Sequence, residues 1–103
     1  MMRRMNTKTL TVMALVKAKP GTETEMREEL LSLVVPSRRD PGCINYDLHC
    51  GADNPAAFLF FENWTTKELW EQHLAKPDLQ AVLARVGTLT AEPPQITLWE
   101  RIA

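Results

Sequence analysis

His73 and Glu62 are the two side chains whose types and settings suit proton chemistry. His73 shares a helical stripe with Leu69, Trp70 and Leu74, and an imidazole with a pKa near 6.5 can take a proton at neutral pH. Its bland alternative is a core histidine bonded to a backbone carbonyl. Glu62 stands with Phe58, Phe60 and Trp64 on one face of an aromatic-rich run, where an unpaired carboxylate is costly. It is therefore expected either to keep a raised pKa or to pair with Arg38 or Arg101. Asn63 points to the opposite face and could hold a ligand oxygen only if that face lines the pocket. Trp64, Trp70, Trp99 and Tyr46 could form a flat slot for an aromatic ring or simply pack as core, and Arg38 completes the candidate substrate contacts.

No metal is expected. His49 lies with Asn45 and Asp47 on the polar face of a strand, and Cys43 on the same face is six residues away, about 20 Å. Two histidines and two cysteines as scattered singles do not make the four ligands of a structural zinc site. Cys43 and Cys50 stand about 23 Å apart along one strand, too far to bridge. Free thiols fit a reducing, cytoplasmic setting.

Punctuation by proline and glycine sets the elements that must position these groups. Leu10 to Ala18 is a strand apolar on both faces, ended by Pro20 and Gly21. Thr22 with Glu25 reads as a capping box, and Met26, Leu30, Leu33 and Val34 make one amphipathic helix stopped by Pro36. The Pro41-Gly42 turn leads into a strand from Cys43 to Cys50, in which Ile44, Tyr46 and Leu48 share a face. A loop from Gly51 to Ala56 joins it to Ala57 to Trp64 as a hairpin. Thr65 and Glu68 repeat the capping box before the His73 helix, which Pro77 interrupts. Leu79, Val82, Leu83 and Val86 mark a further helical stretch ending near Gly87, and Gln95 to Ile102 is the last strand.

The order βαββαβ predicts an α+β, ferredoxin-like split βαβ fold with a four-stranded antiparallel sheet and helices on one face. A sheet this apolar on both sides leaves its second face for another copy of the chain, so a homodimer with two sheets facing each other is expected. Across 103 residues, 12 Lys+Arg against 13 Asp+Glu give a net charge of −1, which offers nothing to a nucleic acid or an anionic membrane. The length suits one domain, read as residues 9–103 after an N-terminal stub of residues 1–8. Arg3, Arg4 and Lys8 ahead of the apolar run mimic a signal peptide, but Lys17 closes the run without a small-residue cleavage site. No run reaches the 18 or so apolar residues of a membrane span.

The run Ser37-Arg38-Arg39-Asp40-Pro41-Gly42-Cys43-Ile44-Asn45-Tyr46, then Phe61-Glu62-Asn63-Trp64, then Trp70-Glu71-Gln72-His73-Leu74, resembles the antibiotic-biosynthesis monooxygenase family. The resemblance extends in order from about Leu10 to Arg101. It implies an obligate dimeric α+β barrel with a pocket between sheet and helices in each protomer. It also implies a monooxygenase that uses O2 on a small quinol or phenolic aromatic without flavin, haem or metal. There the protein supplies a base, a dry pocket and orientation. The same family includes isomerases acting on small carbonyl compounds, and a binding module for a small hydrophobic ligand is the third reading. The chain departs from the pattern at Asp78, where many members carry a second histidine. Leu79 to Val86 also lack the histidine ligand of the related haem-degrading branch.

Overall fold

Side-chain alternation decides the sheet. In the strand Ala57–Trp64, Phe58, Phe60, Glu62 and Trp64 are buried while Leu59, Phe61 and Asn63 are half-buried on the opposite face. The computed structural model describes residues 9–103, and the expected stub of residues 1–8 lies outside them. Strands β1 (Leu10–Lys17), β2 (Cys43–Cys50), β3 (Ala57–Trp64) and β4 (Gln95–Glu100) form one antiparallel sheet in the order β2-β3-β1-β4. Helices α1 (Glu23–Leu31), α2 (Val34–Arg38), α3 (Lys67–Leu74) and α4 (Pro77–Leu89) accompany it. This is the α+β, ferredoxin-like arrangement read from the sequence.

The core lies between sheet and helices. Val12 and the inward β3 aromatics Phe58, Phe60 and Trp64 meet Met26, Leu30 and Val86 there, all at most 4% exposed. On the other face Met13, Leu15, Leu59 and Phe61 remain half-buried, and every residue of β4 is exposed. No helix among the described residues is long and apolar enough to cross a membrane.

Five local expectations need correction. The helix expected to run unbroken to Pro36 ends at Leu31, turns through Ser32 and Leu33, and restarts as α2. Pro36 therefore sits in the first turn of α2, where its missing N–H has no intrahelical acceptor to lose. Thr66, not Thr65, caps α3, accepting from the Leu69 N–H at 3.1 Å. At α1 the expected box does not form, because the Thr22 hydroxyl donates to the Lys19 carbonyl at 2.8 Å. Helix α4 continues through Gly87 to Leu89.

The fifth correction matters most for the site. Cys43 pairs with Trp64 but Asn45 pairs with Asn63, so β2 carries one extra residue against β3. A bulge of this kind inverts the face on which preceding residues lie. Ile44 is turned to the open face and is 55% exposed, away from Tyr46, while Cys43 packs against the core instead of sharing a face with His49.

Candidate active site

A cavity of about 230 Å³ lies between the inner face of the sheet and the helices. Val12, Phe60, Trp70, Leu79 and Val86 give it apolar walls, and Glu62, His73 and Tyr46 are the polar side chains that line it. Its solvent side is bordered by the exposed Leu83, Gly87, Pro94 and Ile96.

The β3 pleat aims Glu62 inward, with Tyr46 directly across in β2 and Val12 across in β1. The carboxyl is 4% exposed, and burial pushes its pKa up to about 7 against one lowering contact, the Trp64 indole N–H at 2.9 Å. The buried ion pair expected for it does not form. Arg38 instead bonds the Tyr46 carbonyl at 3.1 Å and Asp47 at 3.2 Å, and Arg101 donates to the Ala103 carbonyl at 2.6 Å. Burial also raises the Tyr46 hydroxyl, aided by the Glu62 charge and partly opposed by a hydrogen bond with Ser37. That phenol is a hydrogen-bond donor at any physiological pH.

Helix α3 brings His73 to the same cavity, 4% exposed, its ring 4.6 Å from that of Trp64 and 5.5 Å from that of Tyr46. Nδ1 lies 2.8 Å from Asp40 Oδ2, and Asp40 Oδ1 bonds the Lys76 ammonium. No hydrogen bond is made by Nε2 among the described residues, which leaves that nitrogen for a ligand. Burial lowers the His73 pKa more than Asp40 raises it, so the ring is neutral at pH 7. For Asp40 the balance runs the other way: burial would raise its carboxyl, but Lys76 and His73 together bring it below the ordinary value. A second cleft, of about 80 Å³, opens on the Asp40 and Lys76 side of the imidazole, so His73 forms the wall between two spaces.

Asp40 and Lys76 did not stand out in the sequence. Asp40 follows two exposed arginines and precedes the Pro-Gly turn, and its contact with His73 spans 33 positions. The remaining candidates fall in three places. Tyr46 and Trp70 line the cavity with Glu62 and His73. Trp64 packs behind them, fully buried, holding Glu62 by its N–H and His73 by its ring. Asn63 and Trp99 lie on the open face, where Asn63 accepts from the Thr11 hydroxyl at 2.6 Å and donates to Asn45 at 2.8 Å. The structure does not bring them to the cavity. Among the described residues no group of three or more His, Cys, Asp or Glu is placed to hold a metal.

Residues 9–85 match the family described as antibiotic biosynthesis monooxygenase. The chain belongs to that family. PA3566 of Pseudomonas aeruginosa has a similar structure, with a TM-score of 0.88 at 30% identity, covering 98% of this chain and 100% of that one. Rv0793 of Mycobacterium tuberculosis, provisionally named a monooxygenase, is 27% identical over 92 residues, 89% of this chain and 90% of that protein. Its solved structure gives a TM-score of 0.87 at 25% identity, covering 92% of this chain and 96% of that one. The uncharacterized Synechocystis protein sll1783 is 28% identical over 85 residues, 82% of this chain, and the match spans only 58% of its length. Within the antibiotic biosynthesis monooxygenase family, then, this chain sets a buried carboxyl and a carboxylate-held imidazole in one apolar cavity.

Proposed function

We propose that this chain is a monooxygenase that oxidises a single-ring quinol or phenol with O2, using His73 as the base and no bound cofactor. The observation that carries the reading is the shared cavity of His73 and Glu62, apolar apart from them and Tyr46. Size supports one ring: an apolar cavity of roughly 150 Å³ takes a benzene, and sites for drug-sized ligands begin near 300 Å³. At about 230 Å³ the space suits a substituted single ring better than a polycyclic phenol.

Nε2 takes the phenolic proton, and the neutral ring that burial maintains is the form able to do so. The phenolate is electron-rich enough to reduce O2 itself. Written for a hydroquinone, the ring gains one oxygen atom and gives up two hydrogens. These leave with the second oxygen as water, and the product is a hydroxyquinone. Glu62, partly protonated near pH 7, can hand a proton to the reduced oxygen, and Tyr46 can donate to a substrate oxygen.

The same pair favours a second reading, an isomerase of a small carbonyl compound in which Glu62 and His73 pass a proton between two carbons. For either activity we read residues 9–103 as one domain working in a homodimer, a state supported by the exposed Ile96, Leu98 and Trp99 of β4 and by the half-covered outer sheet face. The free thiols Cys43 and Cys50 support a reducing, cytoplasmic setting.

Oxygen uptake by metal-free protein against monocyclic hydroquinones and phenols, with autoxidation subtracted, tests the proposal. Uptake that requires the protein and falls by at least about 100-fold in a folded His73→Ala variant is expected. Protein-dependent conversion of a carbonyl substrate under anaerobic conditions, with no uptake across the panel, overturns oxygenation in favour of the isomerase.

A further inference from the structure

We propose that Asp40, its other oxygen taken by Lys76, decides which nitrogen of His73 serves as the base. The functional meaning of this rests on the reading of His73 above; the geometry stands without it. Asp40 is 8% exposed and divides its two oxygens between two partners. Oδ2 lies 2.8 Å from His73 Nδ1, and Oδ1 is occupied by the Lys76 ammonium. A carboxylate only accepts and an ammonium only donates, so Nδ1 must carry the ring proton and Nε2 must keep its lone pair.

The frame around this contact is rigid. Asp40 is held in its turn by its own N–H to the Ser37 carbonyl at 3.1 Å and by the Cys43 N–H to its carbonyl at 3.1 Å. Lys76 comes from the link between α3 and α4, and its side chain, 46% exposed, borders the outer cleft. The other titratable groups facing the imidazole, Glu62 and Tyr46, line the cavity with it and make no hydrogen bond to Nδ1 among the described residues. Asp40 and Lys76 are positioning residues, and their effect reaches substrate only through the ring.

An amide at position 40 tests this, because Lys76 then fixes which end of the amide faces Nδ1. In Asp40→Asn the Lys76 ammonium still needs an acceptor, so the amide oxygen faces it and the amide NH2 faces Nδ1. Nδ1 must then accept, the ring proton moves to Nε2, and the base is lost. In Asp40→Asn/Lys76→Met the amide is free to turn, and its oxygen can again accept from Nδ1–H.

The test is 15N NMR of the imidazole nitrogens in the full chain at pH 8, in a His49→Gln background that leaves one histidine. The parent is expected to carry its proton on Nδ1, Asp40→Asn on Nε2, and the double variant is expected to regain the Nδ1–H signal. A parent proton on Nε2 overturns the proposal without any change at Asp40 or Lys76, so it stays testable even if Asp40→Asn does not fold. Retention of Nδ1–H in folded Asp40→Asn, or no recovery in the double variant, overturns it as well. Hydroquinone turnover measured in parallel is expected to fall at least tenfold in kcat in Asp40→Asn with little change in KM, and to recover with the tautomer. A tautomer that switches as described in a protein without hydroquinone turnover supports the Asp40 assignment and overturns the oxygenase reading alone.

Discussion

Glu62 and Tyr46 stand directly opposite each other on β3 and β2, a carboxyl that burial lifts to about 7 beside a phenol that burial keeps protonated. The pair gives the cavity a proton-exchanging group and a fixed donor on adjacent strands. The Trp64 indole donates to Glu62 and packs at a tilt against the His73 ring, so one buried side chain contacts both titratable groups.

The Glu62 shift makes stability fall as pH rises. An unfolded carboxyl titrates near 4.5 and the folded one near 7, so between those values only the folded chain holds the proton. Below pH 4.5 the contribution is fully present, and it is lost as pH climbs through 7, about 3 kcal/mol in all. His73 acts in the opposite sense below its unfolded value of 6.5, where lowering the pH favours the unfolded chain. Above pH 6.5 the Glu62 effect is therefore unopposed. Glu62→Gln keeps an acceptor for the Trp64 N–H, and urea titrations from pH 5 to 9 are expected to show a flatter stability profile than the parent. An identical decline in both proteins would show that Glu62 ionises freely in the fold.

Gly87 should separate stability from access. It sits inside α4 at the rim of the cavity, and a methyl group there would meet no atom within 4 Å. Gly87→Ala is expected to raise stability by about 0.5–1 kcal/mol, because a helix-interior glycine pays that much in backbone entropy. Gly87→Phe is expected to obstruct the rim and weaken phenol binding at least tenfold while the helix content by circular dichroism is unchanged. Unimpaired binding in the phenylalanine variant would move the entrance elsewhere.

Gly42 is constrained where Gly87 is not. Its φ is +84°, and a Cβ would fall 2.5 Å from Leu69 Cδ1 and 2.9 Å from Thr65 Oγ1. Gly42→Ala is expected to cost roughly 2 kcal/mol or more, a fall in Tm on the order of 10 °C for a domain of this size. It should also disturb the turn that carries Asp40. Thermal denaturation with the His73 15N spectrum checks both, and a Tm within a degree or two of the parent would contradict the crowding described.

The proposed homodimer has its own readout. Trp99 is 55% exposed on the open face, its indole bonded to Thr97 at 2.9 Å. Trp99→Glu is expected to shift sedimentation from dimer toward monomer without loss of helical signal. A parent already monomeric at micromolar concentration would remove the homodimer.

Much of the fold was legible because period-two alternation survives in β3: three aromatics and Glu62 on one side announce a covered face and a carboxyl with an unusual environment. His73 was legible for the same reason, one polar residue on an apolar helical stripe. Asp40 was not, since a charged residue in a loop of exposed arginines looks solvated until the chain folds it against a residue 33 positions away. Nor was the facing of Ile44, because a bulge leaves no mark in hydrophobic alternation and flips it only on pairing. Arg38 and Glu62 are of opposite charge, yet they belong to different environments, and sequence carries no record of that.

The bulge at Ile44 has a consequence for the chain between the two sides of His73. Five residues lie between Asp40, behind the imidazole, and Tyr46, in front of it, and the bulge takes up one of them as slack. A straight strand would need the same span with one residue fewer, and the turn would sit a pleat out of step. The irregularity thus works as a spacer, setting how far the strand's inner face and the preceding turn can be drawn apart around one ring.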